Sequence, residues 1–370
     1  MSLSSRERAR YARHLALEDV GEAGQERLKS ARIRLVGAGG LGSPAALYLA
    51  AAGVGTLGIV DADQVEVSNL QRQVLHGTAA IGRPKVESAA ARLADLNPDL
   101  TLELFPERLT ASNASEILGR FDLALDGSDN FPTRYLVNDA SILLGRPYIY
   151  GSIFRFAGQV SVFGAAGGPC YRCLFPDPPE LGLIPNCAEA GVLGVVPGVI
   201  GTLQATEAIK LVLSIGAPLV GRLLMYDALA ATMQEVAIDR NPDCPACGNQ
   251  PSLDRLIDYD AFCGVARAGP AITVEELAGV RSADLLVLDV REPWEWELVR
   301  IEGSRLLPLG DLPARLGELP RNGEIVTVCH HGLRSQAAQS LLAEAGFKAR
   351  SLTGGIDAWA ERIERDLPRY

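Results

Sequence analysis

The stretch RIRLVGAGGLGSPAALYLAAAG, residues 32–53, restricts the fold of this chain more than any other. An apolar run of strand length enters a glycine-rich turn and leaves it in a helix-forming run. TLGIVDAD (56–63) follows as a second strand. The pattern then predicts a helix around 83–96, a strand near 100–105, a helix near 112–119, a strand at 121–126 (FDLALD) and a helix near 131–144 leading to the strand PYIYGS. Alternation of this kind makes parallel β-α-β units, so the expected class is α/β, Rossmann-like, with a mixed sheet further on. Glycines in GAGGLG (37–42) allow a tight turn that aims helix N–H groups at phosphate. Asp61 at the end of the second strand suits a ribose hydroxyl. By itself this reads equally well as a nicotinamide or flavin enzyme.

The next segment favours a triphosphate. VSNLQRQ (67–73) and GRPKVES (82–88) bring Arg72, Lys85 and an asparagine close behind that aspartate. Concentrated positive charge stabilises a pentavalent α-phosphoryl group and departing pyrophosphate. LDGSDNFPTR (125–134) sets Asp126 and Asp129 at a strand end, where a carboxylate can hold magnesium against phosphates. Each residue alone could be a solvated surface group or a helix cap; together they read as a site. No G-x-x-x-x-G-K-[ST] occurs, which excludes a P-loop enzyme.

GAGGLG, DADQVEVSNLQRQ, GRPKVESAA and DGSDN together resemble the MoeB/ThiF group of ubiquitin-activating-like adenylyltransferases, over about residues 5 to 262. The resemblance implies an enzyme that adenylates the C-terminal glycine of a small ubiquitin-fold sulfur carrier. It implies that Gly40, Asp61, Ser68, Asn69, Leu70, Gln71, Arg72, Lys85, Asp129 and Asn130 bind ATP, with Asp129 at magnesium. RYARH matches the family's N-terminal pattern, so Arg13 should reach the ATP site of a partner subunit in a homodimer.

Seven cysteines in a chain with no apparent signal peptide point to metal or catalysis rather than disulfides. Cys170 and Cys173 form one C-x-x-C, Cys244 and Cys247 another, the set that tetrahedral structural zinc takes. Cys187 stands alone in the Pro/Gly-rich segment 176–198, which reads as a mobile connection. The family resemblance makes it the crossover-loop cysteine, able to form an acyl thioester or a disulfide with a carried sulfur. Cys263 has no motif around it and reads as structural.

YDAFCGVARAGP (259–270) reads as the approach to a second domain, giving 1–262, a linker at 263–270, and 271–370. In that last part a buried strand, EIVTVC, delivers Cys329 into the loop Cys329, His330, His331, Gly332, Leu333, Arg334, which a helix follows. Inward N–H groups and a helix N-terminus stabilise a thiolate or persulfide anion. Arg334 would anchor an anionic donor or the loop itself. His330 and His331, lacking a third ligand, read as residues tuning donor access. Tyrosine phosphatases use a longer C-x5-R loop. This C-x4-R, with LLVLDVREPWEW, IEGSRLLPL and LTGGIDAWAE, resembles rhodanese, a carrier of sulfane sulfur; Arg300 stands where many relatives have histidine.

A net charge of -10 argues against nucleic acid. The apolar stretch 191–203 is broken by Gly and Pro and reads as too short for a bilayer, so a cytoplasmic enzyme is expected. The whole implies carrier adenylation with ATP and magnesium, then sulfur transfer from a Cys329 persulfide to give the carrier thiocarboxylate. Carriers ending in Gly-Gly serve molybdenum cofactor, thiamine, tRNA-thiolation and cysteine synthesis; the donor would be a cysteine desulfurase or thiosulfate. Three rivals stand: an adenylyltransferase whose second module serves another acceptor, a non-catalytic carrier-binding scaffold, and a Rossmann oxidoreductase with a phosphatase-like tail.

Overall fold

The structure, a computed structural model, describes residues 2–179, 191–264, 269–280 and 285–369. It divides into two compact units, one running up to Tyr259 and the other being Asp260–Tyr370.

In the first unit the strands are β1 (Arg32–Val36), β2 (Thr56–Val60), β3 (Thr101–Phe105), β4 (Leu123–Asp126), β5 (Tyr148–Phe154), β6 (Ala157–Phe163), β7 (Arg222–Asp227) and β8 (Thr232–Ala237). They form a sheet in the order β3-β2-β1-β4-β5-β6-β7-β8. β1 to β5 pair in parallel and β5 to β8 antiparallel, the mixed sheet expected. β7 and β8 carry no strong sequence signal, because β8 is exposed along its length and has no buried face to set a period.

The helix Val195–Leu213 starts inside the segment read as a connection. Pro197 lies in its first turn, where a missing N–H costs nothing, so the helix begins earlier than the proline suggested. At 19 residues it is long and apolar enough to cross a bilayer by length and composition. Val196, Ile200, Ala205, Ala208 and Leu213 are instead buried in the core of this unit.

β1 carries one residue that its apolar pattern does not lead one to expect. Arg34 is fully buried, its guanidinium stacked between the rings of Phe105 at 3.9 Å and Phe121 at 4.0 Å. Nη2 donates to the Ile117 carbonyl at 3.1 Å, while Nε and Nη1 have no partner. Burial brings its pKa down to about 9.

The second unit contains β9 (Ala271–Ile272), β10 (Leu285–Asp289), β11 (Arg305–Leu306), β12 (Glu324–Val328) and β13 (Ala349–Leu352). All pair in parallel in the order β11-β10-β12-β13-β9. One cluster joins Ile272, Val326, Val328, Ile356 and Trp359; another joins Leu288, Ile325, Ala338 and Leu342. β12 is thus central and buried, and the loop at its C-terminal end stands on a rigid base.

Because the Arg34 guanidinium loses its hydration with two nitrogens unrepaid, Arg34→Met is expected to leave the thermal unfolding midpoint unchanged or raise it. Phe121→Ala, which empties the same place, should cost about 3–5 kcal/mol in denaturant titration.

Candidate functional site

β1, β2 and β4 end side by side, and the chain order reverses between β1 and β4. Open α/β sheets hold ligands in the crevice at such a reversal. The glycine turn leaves β1 there and opens the helix Gly42–Ala52. Only glycine fits at 42, since a Cβ would lie 2.0 Å from the Gly37 carbonyl oxygen.

Asp61 follows β2 and braces this turn. Its Oδ2 accepts the Ala38 N–H at 2.8 Å and its Oδ1 the Asp63 N–H at 2.9 Å. Burial raises its pKa, against the opposing pull of Lys85. Lys85 is nearly buried and pairs with exposed Asp63 at 2.8 Å. Arg72 donates to the Ser68 carbonyl at 2.9 Å, and its Cγ lies 3.7 Å from where Gly40 would carry a side chain. Asn69 is buried, its Oδ1 accepting from Glu66 N at 3.3 Å and its Nδ2 meeting Ser68 Oγ at 3.4 Å. Leu70 is half-buried beside it, and Gln71 closes on Gly194.

Beyond β4, Asp126 is fully buried and its Oδ1 takes the Ser128 N–H and hydroxyl at 2.9 and 2.6 Å. Asp129 and Asn130 are exposed, and Asn130 caps the helix Phe131–Leu143 by accepting the Thr133 N–H at 3.0 Å. Arg13 is exposed on the helix Ala12–Leu15. Sequence reasoning passes over His76, which fastens the turn from behind. Its Nε2 meets the Ala38 carbonyl and its Nδ1 the Ser88 hydroxyl, both at 2.9 Å. Burial lowers its pKa, keeping it neutral. No local motif announces it; its partners come from two separate segments.

The two C-x-x-C pairs meet. Four sulfurs about 2.3 Å from one ion would sit roughly 3.8 Å apart at tetrahedral corners. Here Cys170 and Cys244 are 3.5 Å apart, Cys173 and Cys247 3.3 Å, and Cys170 and Cys173 3.9 Å. All four ligand atoms lie within 4.8 Å of one another. Burial and the neighbouring sulfurs push the Cys170 thiol up, and burial chiefly takes Cys247 up to about 12. Four crowded thiolates need a dication, so this donor set fits zinc. The loop is also latched from within. Arg172 forks onto Asp139 at 2.8 and 2.7 Å, Tyr259 donates to the same carboxylate at 2.7 Å, and Asn138 Oδ1 accepts the Tyr171 N–H at 2.8 Å. Cys187 lies outside the described residues.

In the second unit Cys329 directly follows β12 and is 1% exposed. Its Sγ accepts the Gly332 N–H at 3.1 Å and lies 3.5 Å from Ser335 Oγ. Gly332 turns the loop at φ 111°, a left-handed conformation that disfavours side chains, and caps the helix Leu333–Glu344. Arg334 forks onto Glu295 at 2.6 and 2.7 Å, both nearly buried. Of the two roles read for Arg334, this geometry serves anchoring of the loop. Sequence reasoning misses Glu295, although it lies within REPWEW, because nothing local ties it to a residue 39 positions away. His330 and His331 stack with ring centres 3.9 Å apart, and burial with the adjacent His331 takes His330 down to about 4. His331 reaches toward Asp357 at 3.9 Å.

Such an arrangement belongs to enzymes that transfer a nucleotidyl group in one unit and handle reactive sulfur in another. The chain belongs to the ThiF family, whose profile matches residues 11–246, and a rhodanese-like domain matches 273–362. The Mycobacterium tuberculosis protein named probable adenylyltransferase/sulfurtransferase MoeZ is 46% identical over 385 residues, covering 100% of this chain and 97% of its own. The pig adenylyltransferase and sulfurtransferase MOCS3 is 42% identical over 404 residues, spanning 100% of this chain and 89% of that one. A Thermus thermophilus sulfur carrier protein adenylyltransferase is 55% identical over 270 residues, covering 72% of this chain and 100% of its own. A crystal structure of E. coli MccB with ATP shares the fold at 21% identity and TM-score 0.56, over 64% of this chain and 74% of that one. The protein is therefore an enzyme, an adenylyltransferase joined to a sulfurtransferase.

Metal analysis of the purified chain should find zinc that Cys244→Ser lacks, and the variant should melt at a lower temperature in the first unit, because a metal held by four thiolates would contribute folding free energy. Glu295→Gln, which leaves buried Arg334 without its carboxylate, should cost the second unit about 3–5 kcal/mol in chemical denaturation.

Proposed function

We propose that this protein adenylates the C-terminal glycine of a ubiquitin-fold sulfur carrier ending in Gly-Gly and then replaces the activated oxygen with sulfur. The observation that carries the reading is that one chain holds both a glycine-turn crevice lined by Arg72 and Lys85 and a cysteine loop on a buried strand. The name of the Thermus relative supports the choice of acceptor.

In the first step the carrier carboxylate attacks the α-phosphorus of ATP and the bond to pyrophosphate breaks. Gly40, Asp61, Ser68, Asn69, Leu70, Gln71, Asp129 and Asn130 would contact the nucleotide. Arg72 and Lys85 would stabilise the charge that develops on the phosphoryl oxygens. Lys85 must exchange Asp63 for phosphate to do so, and Asp63, being exposed, releases it at little cost. Asp129 would hold the magnesium that accompanies ATP. In a homodimer, Arg13 would act on the partner subunit's nucleotide.

In the second step a persulfide on Cys329 attacks the acyl carbon and AMP leaves, giving an acyl disulfide. A second thiol, Cys187 or one from solution, attacks Cys329 Sγ. The carrier departs as thiocarboxylate and the new disulfide is reduced by external thiol. The Gly332 N–H on Cys329 Sγ is the kind of contact by which the loop would hold an anionic sulfur. Keeping both units in one chain raises the local concentration of sulfur near the adenylate. The sulfur would come from thiosulfate or a cysteine desulfurase. The setting would be cytoplasmic, serving molybdenum cofactor, thiamine or tRNA-thiolation chemistry.

Intact mass of Gly-Gly carriers from each of these routes, incubated with the protein, ATP, magnesium and thiosulfate, tests the reading. One carrier should gain the mass of sulfur less that of oxygen. Cys329→Ala should abolish that gain while leaving pyrophosphate release intact. Adenylate without sulfur would assign the second unit to a different acceptor, and no adenylate with any carrier would overturn the proposal.

A further inference from the structure

Arg134 has a setting that none of the roles above explains. It occupies the first turns of the helix Phe131–Leu143, just beyond Asp129 and Asn130, and is only 9% exposed. Its guanidinium carbon lies 5.6 Å from the centre of the Phe131 ring and 5.7 Å from that of Tyr150. One polar contact holds it, a long one from Nη2 to the Ser128 carbonyl at 3.5 Å. Nε is buried with no hydrogen-bond partner, and among the described residues no carboxylate is within ion-pairing distance.

Burial works against this charge, yet Tyr150, Tyr171, Asp126 and Asp129 together more than restore it, so the group stays cationic. A second unpaired atom shares the neighbourhood. Asp126 spends Oδ1 on Ser128 and leaves Oδ2 buried without a partner. Two other buried arginines are closed off by carboxylates, Arg172 by Asp139 and Arg291 by Asp289, while buried Arg34 is sandwiched between two aromatic rings. Folding alone would favour the same closure here, because an unmatched buried donor or acceptor is costly.

The position narrows what could complete the pair. Arg72 stands against the glycine turn and Lys85 beside Asp63, both on the β1–β2 side of the reversal. Arg134 stands on the β4–β5 side, past Asp126 and against Tyr150 of β5. Phosphates on the turn are already provided with cations. What enters opposite them is the group that attacks phosphorus.

We propose that Arg134 is a further substrate-contacting residue, whose guanidinium receives the terminal carboxylate of the acyl acceptor and holds it toward the α-phosphate, with Asp126 Oδ2 accepting an N–H of the same terminal peptide. This rests on the adenylation reading above. A guanidinium donor and a carboxylate acceptor left open together match a peptide terminus, which offers an acceptor and a donor in one short unit. No bond to Arg134 is made or broken; it orients the nucleophile.

The test uses the full-length protein, a Gly-Gly carrier that supports pyrophosphate exchange with the unaltered chain, and a non-hydrolysable ATP analogue. Arg134→Gln should lower carrier-dependent exchange by about 100-fold, the usual effect of losing one such donor, while analogue binding is unchanged. Arg134→Lys should recover part of the rate with a raised KM for carrier. If Arg134→Gln is poorly folded by thermal melt, Arg134→Ala with added guanidinium replaces it, and restored exchange is the expected result. Unchanged carrier kinetics in Arg134→Lys and Arg134→Gln, or an equal loss of analogue binding, would overturn the proposal. Absence of exchange in the unaltered chain with every carrier would instead remove the adenylation reading itself.

Discussion

At the ends of β1 and β4 two backbones approach as closely as glycine permits. The Gly127 N–H bonds the Val36 carbonyl at 2.9 Å, and a Cβ on Gly37 would lie 2.9 Å from the Gly127 carbonyl oxygen. This contact across the reversal of strand order decides the rest of the first unit. It lets the phosphate turn and the Asp126–Asp129 loop share one crevice, so that groups from both sides of the sheet can act on one ligand. A side chain at Gly37, whose φ of 97° also disfavours one, would press the two loops apart.

Both units then stabilise their working loops by the same means, a carboxylate drawn out of solvent and committed to hydrogen bonds within the protein. Asp61 takes the Ala38 and Asp63 N–H groups, and Glu295 grips Arg334 at the end of the cysteine loop. Asp139 does the like for Arg172 and Tyr259 beside the four cysteines. In the cysteine loop a further brace comes from the helix Gly355–Arg362, where the Ile356 N–H bonds the Cys329 carbonyl at 2.8 Å. Charges that would be costly if unmatched are spent on geometry: Asp61 holds backbone N–H groups, while Glu295 and Asp139 hold the side chains that fasten their loops. Arg134 departs from this pattern, which is why it draws notice.

The alternation of strands and helices, the glycine turn, the paired cysteines and the C-x4-R loop are all legible in the amino-acid order. Each is written in neighbouring residues, because periodicity, turn chemistry and ligand spacing are local properties. The helix Val195–Leu213 is underestimated by the same reasoning, since Pro and Gly read as breakers although the proline lies in a first turn that tolerates it. Packing alone brings the cysteine pairs within 4.8 Å, sets Glu295 against Arg334, and leaves Arg134 open beside Asp126. Whether Arg334 meets Glu295, or one cysteine pair the other, depends on which distant segment packs against it, and no short stretch of sequence contains both members of either pair.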